Sequence, residues 1–169
     1  MGLSESLKKV EEAQAGGLAA VVDALIEEAA VLLQSPISYF ALMNKDCSVL
    51  TMIGCSNTVM EACAMIDKTI VYPIEKTGLW GDCVREKGPV VTNDYKALVK
   101  PTKKGYPSGH VDIKRHMNVC MMGNGQIKGV LGVGNKVAPY DEADVAVLQQ
   151  FVNECHKYLP SAEVEAIVG

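Results

Sequence analysis

Apolar residues recur at Leu18, Val21, Val22, Leu25, Ile26, Ala29, Leu32 and Leu33, the spacing of a helix with one buried face. Gly16-Gly17 punctuates the start of this helix and Pro36 limits its end. Upstream, residues 4–14 set Leu7 and Val10 among Lys and Glu, which predicts a second helix with little apolar surface of its own. Residues 37–43 and 47–53 are β-prone runs on either side of Asn44-Lys45-Asp46 and predict an antiparallel hairpin. A helix over 59–66 and a strand over 69–73 follow. Next comes a helix over 77–87, capped by Thr77 and turning Leu79, Trp80 and Val84 inward. Gly88-Pro89 stops that helix and opens a strand ending at Thr92.

The pattern then dissolves from Asn93 to Lys114, a stretch holding Pro101, Gly105, Pro107 and Gly109. A connection of about twenty residues inside a compact domain is uncommon, and is usually a binding loop, a lid or a disordered segment. Residues 117–122 and 127–133 predict a second hairpin around Gly123-Asn124-Gly125, where Asn-Gly suits positive φ. Asp141, with Asp144 three residues on, caps a last helix whose stripe is Val145, Leu148, Val152, Cys155 and Leu159. Pro160 ends it, and residues 161–169 read as a loose tail. This order suits an α+β fold, an antiparallel sheet with helices packed against it, and not a parallel doubly wound sheet. The first and last helices are expected to pair. Any part of their stripes not spent on the sheet could meet the same helices of a second subunit.

With 169 residues, 49% of them hydrophobic and 21% charged, the chain is expected to form one compact domain around its own core. The net charge of −4 provides no global attraction to nucleic acid or an anionic membrane. The opening MGLSESLKKV has no apolar leader core, and no apolar run approaches the ~20 residues that span a bilayer, so a cytoplasmic location is expected. Among Cys47, Cys55, Cys63, Cys83, Cys120 and Cys155, no two have the close spacing with which one turn presents two thiolates to zinc. They read as small buried hydrophobes, with no metal expected.

Gly129, Gly132 and Gly134 crowd one segment, but no helix-opening G-x-G-x-x-G and no G-x-x-x-x-G-K-[ST] occurs. These glycines read as strand positions that another group approaches closely. Polar residues gather instead between Asn93 and Asn118, where Lys96, Lys100, Lys103, Lys104, Lys114 and Arg115 outnumber the acids. Cationic donors beside aromatic rings suit a small anionic or heteroaromatic ligand, although a solvated, solubilising loop would have similar composition. His110, Arg115 and His116 weigh toward a pocket. His116 is either a ligand to haem iron or a metal, or a hydrogen-bonded residue at a strand edge. Trp80, between Gly78 and Gly81, is either core or a platform for a ligand.

Three segments carry a resemblance to a known family. They are Thr77-Gly78-Leu79-Trp80-Gly81-Asp82-Cys83-Val84-Arg85, then Gly88-Pro89-Val90-Val91-Thr92-Asn93-Asp94-Tyr95, and Gly129-Val130-Leu131-Gly132-Val133-Gly134-Asn135-Lys136 with Tyr140-Asp141-Glu142-Ala143-Asp144. Together with the order of elements they resemble a GAF domain, over roughly residues 18–159. Lys104-Gly105-Tyr106-Pro107 and the run from His110 to Val119 are similar to the small-molecule-sensing subgroup found beside bacterial signalling modules. The resemblance implies an α+β, GAF-like fold: a six-stranded antiparallel sheet, N- and C-terminal helices on one face, and a ligand pocket under the long loop on the other. It implies an N-terminal extension or short helix over 1–16, the domain over 17–159 and a tail over 160–169.

The implied function is ligand binding in signal transduction as a cytoplasmic homodimer, without catalysis. The chain carries no attached output domain, so it is expected either to signal through a separate output partner or to be a fragment of a longer protein. Position by position, the resemblance implies Trp80, Asn93, Asp94, Tyr106, His110, Arg115, His116 and Asn118 as ligand-binding residues. The family binds cyclic nucleotides, haem, bilins and 2-oxo acids, so membership does not choose the ligand. Two alternatives are a dimerisation module with a vestigial pocket and a cysteine-based free methionine sulfoxide reductase using Cys83 and Cys120.

Overall fold

The computed structural model describes residues 2–56, 70–106 and 109–169. The helix expected over 59–66, Thr69, Cys63 and Pro107 lie outside the described residues. Helix α1 (Leu3–Glu12) and helix α2 (Gly17–Leu32) come first, joined by a 3₁₀ turn over Ala13–Gly16. Strands β1 (Ile37–Met43), β2 (Val49–Cys55) and β3 (Ile70–Pro73) follow. The remaining elements are helix α3 (Asp82–Glu86), strands β4 (Val90–Thr92), β5 (His116–Gly123) and β6 (Gln126–Gly134), and helices α4 (Glu142–Cys155) and α5 (Ser161–Val168).

The six strands form one sheet in the order β3-β2-β1-β6-β5-β4, and every neighbouring pair is antiparallel. Strand alternation gives the sheet two different faces. Phe40, Leu42, Met117, Val119, Met121, Leu131 and Val133 enter one core with Val21, Leu25 and Ile26 of α2 and Leu148, Phe151 and Val152 of α4. Ala41, Met43, Leu50, Cys120 and Val130 point the other way and meet Cys83 and Val84 of α3. The apolar stripes of α2 and α4 are thus spent on the sheet. Val10 of α1 is fully buried in the same core, and Lys9 donates to Glu28 at 2.8 Å. The sparse apolar positions of α1 therefore suffice to dock it.

Three expectations are corrected. Strand β2 starts at Val49, because Cys47 has a left-handed backbone (φ 58°) and closes the turn in which Asn44 Oδ1 accepts from Ser48 and Val49. Thr77 does not cap a long helix. Its hydroxyl donates to the Ile74 carbonyl at 2.6 Å and accepts from Arg85, and α3 begins only at Asp82 after a 3₁₀ turn over Leu79–Gly81. Lys87, at φ 53°, ends α3. Residues 161–168 are helix α5 instead of a loose tail. Its Glu163 Oε2 accepts from the Leu18 N–H at 3.0 Å, supplying the start of α2 with the cap that Gly16 cannot give.

Candidate functional site

The second sheet face carries a continuous row of aromatic and polar groups. Tyr72 of β3 meets Trp80 edge to face, with ring centroids 5.7 Å apart, and Trp80 meets Tyr39 of β1 in the same way at 6.1 Å. The Tyr39 hydroxyl donates to Asn118 Oδ1 at 2.5 Å, and Asn118 Nδ2 lies 2.9 Å from His116 Nδ1. The His116 ring then meets Tyr95 edge to face at 6.2 Å. Tyr95 leads to Tyr106 at 5.6 Å, and Tyr106 stacks on His110 at 5.0 Å.

This row requires that no side chain stand between β1 and β5 on β6. Gly132 pairs with both Tyr39 and Asn118, and a Cβ there would fall 2.1 Å from Tyr39 Cε1 and 2.5 Å from Asn118 Oδ1. The ring of Tyr39 therefore lies over bare β6 backbone, as the reading of closely approached strand glycines predicts.

The relay has a direction. Tyr39 stays protonated, since burial raises its hydroxyl well above the usual value and the nearby Cys83, Cys55 and Cys120 act the same way. Asn118 is 1% exposed and uses its oxygen on Tyr39, which leaves its amide to donate to His116 Nδ1. The ring proton of neutral His116 then sits on Nε2. That nitrogen is buried and has no hydrogen-bond partner among the described residues. Burial pushes the His116 imidazole down to about 4, with Asp82 opposing and Lys100 adding to the effect, so the ring is neutral near pH 7. An unspent N–H in a buried position is costly without a partner, and it is the group a ligand acceptor atom would satisfy.

The long connection folds against this face. Its ends are tied where the Tyr95 N–H donates to the Lys114 carbonyl at 2.9 Å, and Asn135 joins it to the end of β6 by accepting from Lys114 N–H at 2.8 Å. Its middle is held by Asp82, 1% exposed, whose Oδ2 accepts from Thr102 at 2.8 Å and pairs with Lys100 at 2.6 Å. The other oxygen of Asp82 accepts from Arg85 Nε at 3.0 Å. Arg85 also donates to the carbonyls of Ile74 and Gly78, clamping the turn after β3. Burial would raise the Asp82 carboxyl, but hydrogen bonds from Lys100, Arg85 and Thr102 hold it below its usual value.

Of the eight residues expected in the site, the structure brings Trp80, Tyr106, His110, His116 and Asn118 into the row. Arg115 Nη1 donates to the carbonyls of Lys136 and Val137. Asn93 makes a two-way bridge to the Tyr140 backbone at 2.9 and 2.7 Å, and Asp94 accepts from the Ala97 N–H at 3.0 Å within a turn. Most of the cations are committed too: Lys100 to Asp82 and Glu86, Lys103 to two carbonyls and the Tyr95 ring, Lys104 to the Glu75 carbonyl. Sequence reading missed Tyr39 and Asp82. Tyr39 could have been found from its strand parity opposite Phe40 and its pairing with a glycine-rich strand.

On the helix side, a groove of about 430 Å³ between α1 and α4 is lined by Leu3, Leu7, Lys8, Glu11, Gln150 and Glu154, among others. Among the described residues, no helix is long and apolar enough to cross a membrane.

The chain matches the family model described as GAF domain over residues 15–156. It is 42% identical over 144 residues to the methyl sulfide methyltransferase-associated sensor of Methanosarcina acetivorans, a match covering 85% of this chain and 14% of that protein. The chain thus spans about one seventh of the length of that relative. The fold is similar to the GAF domain of a phosphoenolpyruvate-protein phosphotransferase from Coxiella burnetii, with a TM-score of 0.75 at 12% identity, covering 98% of this chain and 96% of that one. It is also similar to the free methionine-R-sulfoxide reductase of Neisseria meningitidis, with a TM-score of 0.69 at 19% identity, covering 97% and 91%.

Proposed function

The chain belongs to the GAF domain family, and on that premise we propose that it is the ligand-binding module of a signalling protein, recognising a neutral heteroaromatic molecule on its second sheet face. The observation that carries this reading is the Tyr39–Asn118–His116 relay, which ends in a buried N–H with no partner among the described residues. A neutral donor flanked by Trp80, Tyr39 and Tyr95 suits a flat ring bearing a nitrogen or carbonyl acceptor. The anionic half of the expectation rests on Arg115 Nε, which is also buried without a partner among the described residues; Arg115 Nη1 is spent on carbonyls, and Arg85 and Lys100 already face carboxylates.

The module works without catalysis in this reading. Dimerisation through the terminal helices would use the outer groove between α1 and α4, since their apolar stripes are occupied. A separate signalling partner and a cytoplasmic location complete the proposal. The relative named a sensor supports the sensing role.

The test is thermal unfolding with a panel of purines and pterins against a panel of small carboxylates. A ligand that binds only the folded state at a hundredfold excess over Kd stabilises it by about 2.7 kcal/mol. We expect a heteroaromatic compound to raise Tm in the wild type and to do nothing in His116→Phe, which keeps the ring and loses the N–H. A carboxylate whose effect disappears in Arg115→Ala would overturn this ligand class in favour of an anion. No stabilisation by any compound would favour a purely structural module. Iron ligation by His116 would require the ring proton to leave Nε2, and a Soret band in the purified protein would report it.

A further inference from the structure

Strand β2 departs from simple alternation, and the departure gathers sulfur on one face. Its register against β1 sets Tyr39 opposite Cys55 and Phe40 opposite Gly54, then jumps to Ala41 opposite Met52, so Ile53 is an extra residue on β2. Ile53 packs in the helix-side core, and a Cβ on Gly54 would fall 2.7 Å from Val22 Cγ1 of α2. Two consecutive residues therefore face the helices, and Met52 and Cys55 both face the second side with Tyr39 and Ala41. Without the bulge, strand positions three apart would stand on opposite faces. The Cys55 thiol donates to Met52 Sδ at 3.6 Å, and both residues are half-buried. We infer that Met52 and Cys55 form a binding site for a soft monovalent metal ion, Cu(I), held between thioether and thiolate.

The donor set chooses the ion. Thiolate and thioether are soft ligands that favour Cu(I), whereas harder divalent ions take carboxylate, carbonyl or water. Structural zinc takes four ligands, and among the described residues no three His, Cys, Asp or Glu side chains gather to supply them. With metal–sulfur bonds of about 2.3 Å, the zinc–thiolate length, two sulfurs 3.6 Å apart can share one ion without rearranging the strand. Cys55 packs with Ile37, Val111 and Ile113, and Met52 packs with the second core, so apolar groups limit access of competing oxygen ligands.

Binding is an exchange at sulfur. The S–H bond of Cys55 breaks, an S–Cu bond forms, the proton passes to water, and Met52 adds a lone pair. No electron is transferred. Cys55 stands opposite Tyr39, the start of the relay, so the ion would lie beside the ligand-binding row without using His116.

The experiment uses the full chain, reduced and kept without oxygen, and titrates it with Cu(I) delivered from its bathocuproine disulfonate complex. We expect the chain to withdraw one equivalent from the chelator. That equivalent should shield Cys55 from N-ethylmaleimide and leave Cys47 labelled, as peptide mapping reads. Met52→Leu conserves side-chain volume, so its Tm should stay close to that of the wild type. It should weaken copper binding by roughly tenfold or more, the least that losing even an outer partner of a metal ligand costs. Cys55→Ser should abolish binding. The inference is overturned if no copper leaves the chelator, or if the first equivalent shields a different cysteine. It is also overturned if Met52→Leu binds as tightly as the wild type, since one thiol would then act alone. Met52→Leu decides the matter even if Cys55→Ser fails to fold. His116→Phe should bind copper as the wild type does, so failure here leaves the ligand reading standing.

Discussion

Replacing His116 with Gln removes a titrating group from the buried relay, and the effect is readable as a change in pH dependence. The ordinary imidazole value is 6.5, and in the folded chain burial brings His116 to about 4. As pH falls below 6.5 the unfolded chain binds a proton at this position and the folded chain does not, so folding loses stability on the acid side. The contribution is fully present above the unfolded value and is lost progressively down to the folded one. Between pH 7 and pH 5 the loss from this one group is about 2 kcal/mol. That is a large share of a stability of ~5–15 kcal/mol.

The assay is urea unfolding at both pH values for wild type and His116→Gln. Gln lowers stability at pH 7 as well, because Asn118 loses its acceptor geometry. The diagnostic quantity is therefore the difference between pH 7 and pH 5, which should be smaller in the variant by about 2 kcal/mol. Nitrogen-15 spectra should show the Nε2–H tautomer of His116 unchanged at pH 5. Equal acid loss in the two proteins, or a His116 titration near 6.5, would refute the neutral donor and the ligand chemistry built on it.

Asp82→Asn should cost about 3 kcal/mol in urea unfolding at pH 7, at the low end for a broken buried pair, since Arg85 and Lys100 each keep other acceptors. The folded carboxyl lies below its ordinary 3.8, so this difference is full above that value and fades as pH falls through the lower one. The same variant should be cut faster by trypsin at Lys96, Lys103 and Lys104, and unchanged cleavage would mean that Asp82 does not anchor the connection. Gly132→Ala should cost about 1–3 kcal/mol by calorimetry, because its Cβ would force Tyr39 off Asn118, and it should abolish any stabilisation by ligand.

Much of the fold was legible because its signals are local. The period of α2, the Asp141–Asp144 capping box and the Asn124-Gly125 turn, with φ of 51° and 74°, each act within a few neighbouring residues. The expectations for Thr77 and for residues 161–168 failed where a distant partner takes over: Arg85 claims the Thr77 hydroxyl, and Glu163 finds the open start of α2 across most of the chain. His116 and Asn118 are expected through the family resemblance, but nothing local to them reveals Tyr39.

The sequence by itself determined which faces of the helices and strands would be buried, and hence an antiparallel sheet with helices on one side, because period and apolar patterning act along the chain. The tertiary structure alone decided which polar groups remain unspent. Asn93 and the lysines look like ligand groups in composition, yet Tyr140, Asp82 and several backbone carbonyls take up their hydrogen bonds, while Arg115 spends Nη1 on the Lys136 and Val137 carbonyls and keeps a buried Nε with no partner among the described residues. His116 retains a free donor because Asn118, bonded in turn to Tyr39 over Gly132, occupies its other nitrogen. Hydrogen-bond capacity is a property of residues, but its availability depends on pairings between strands far apart in sequence.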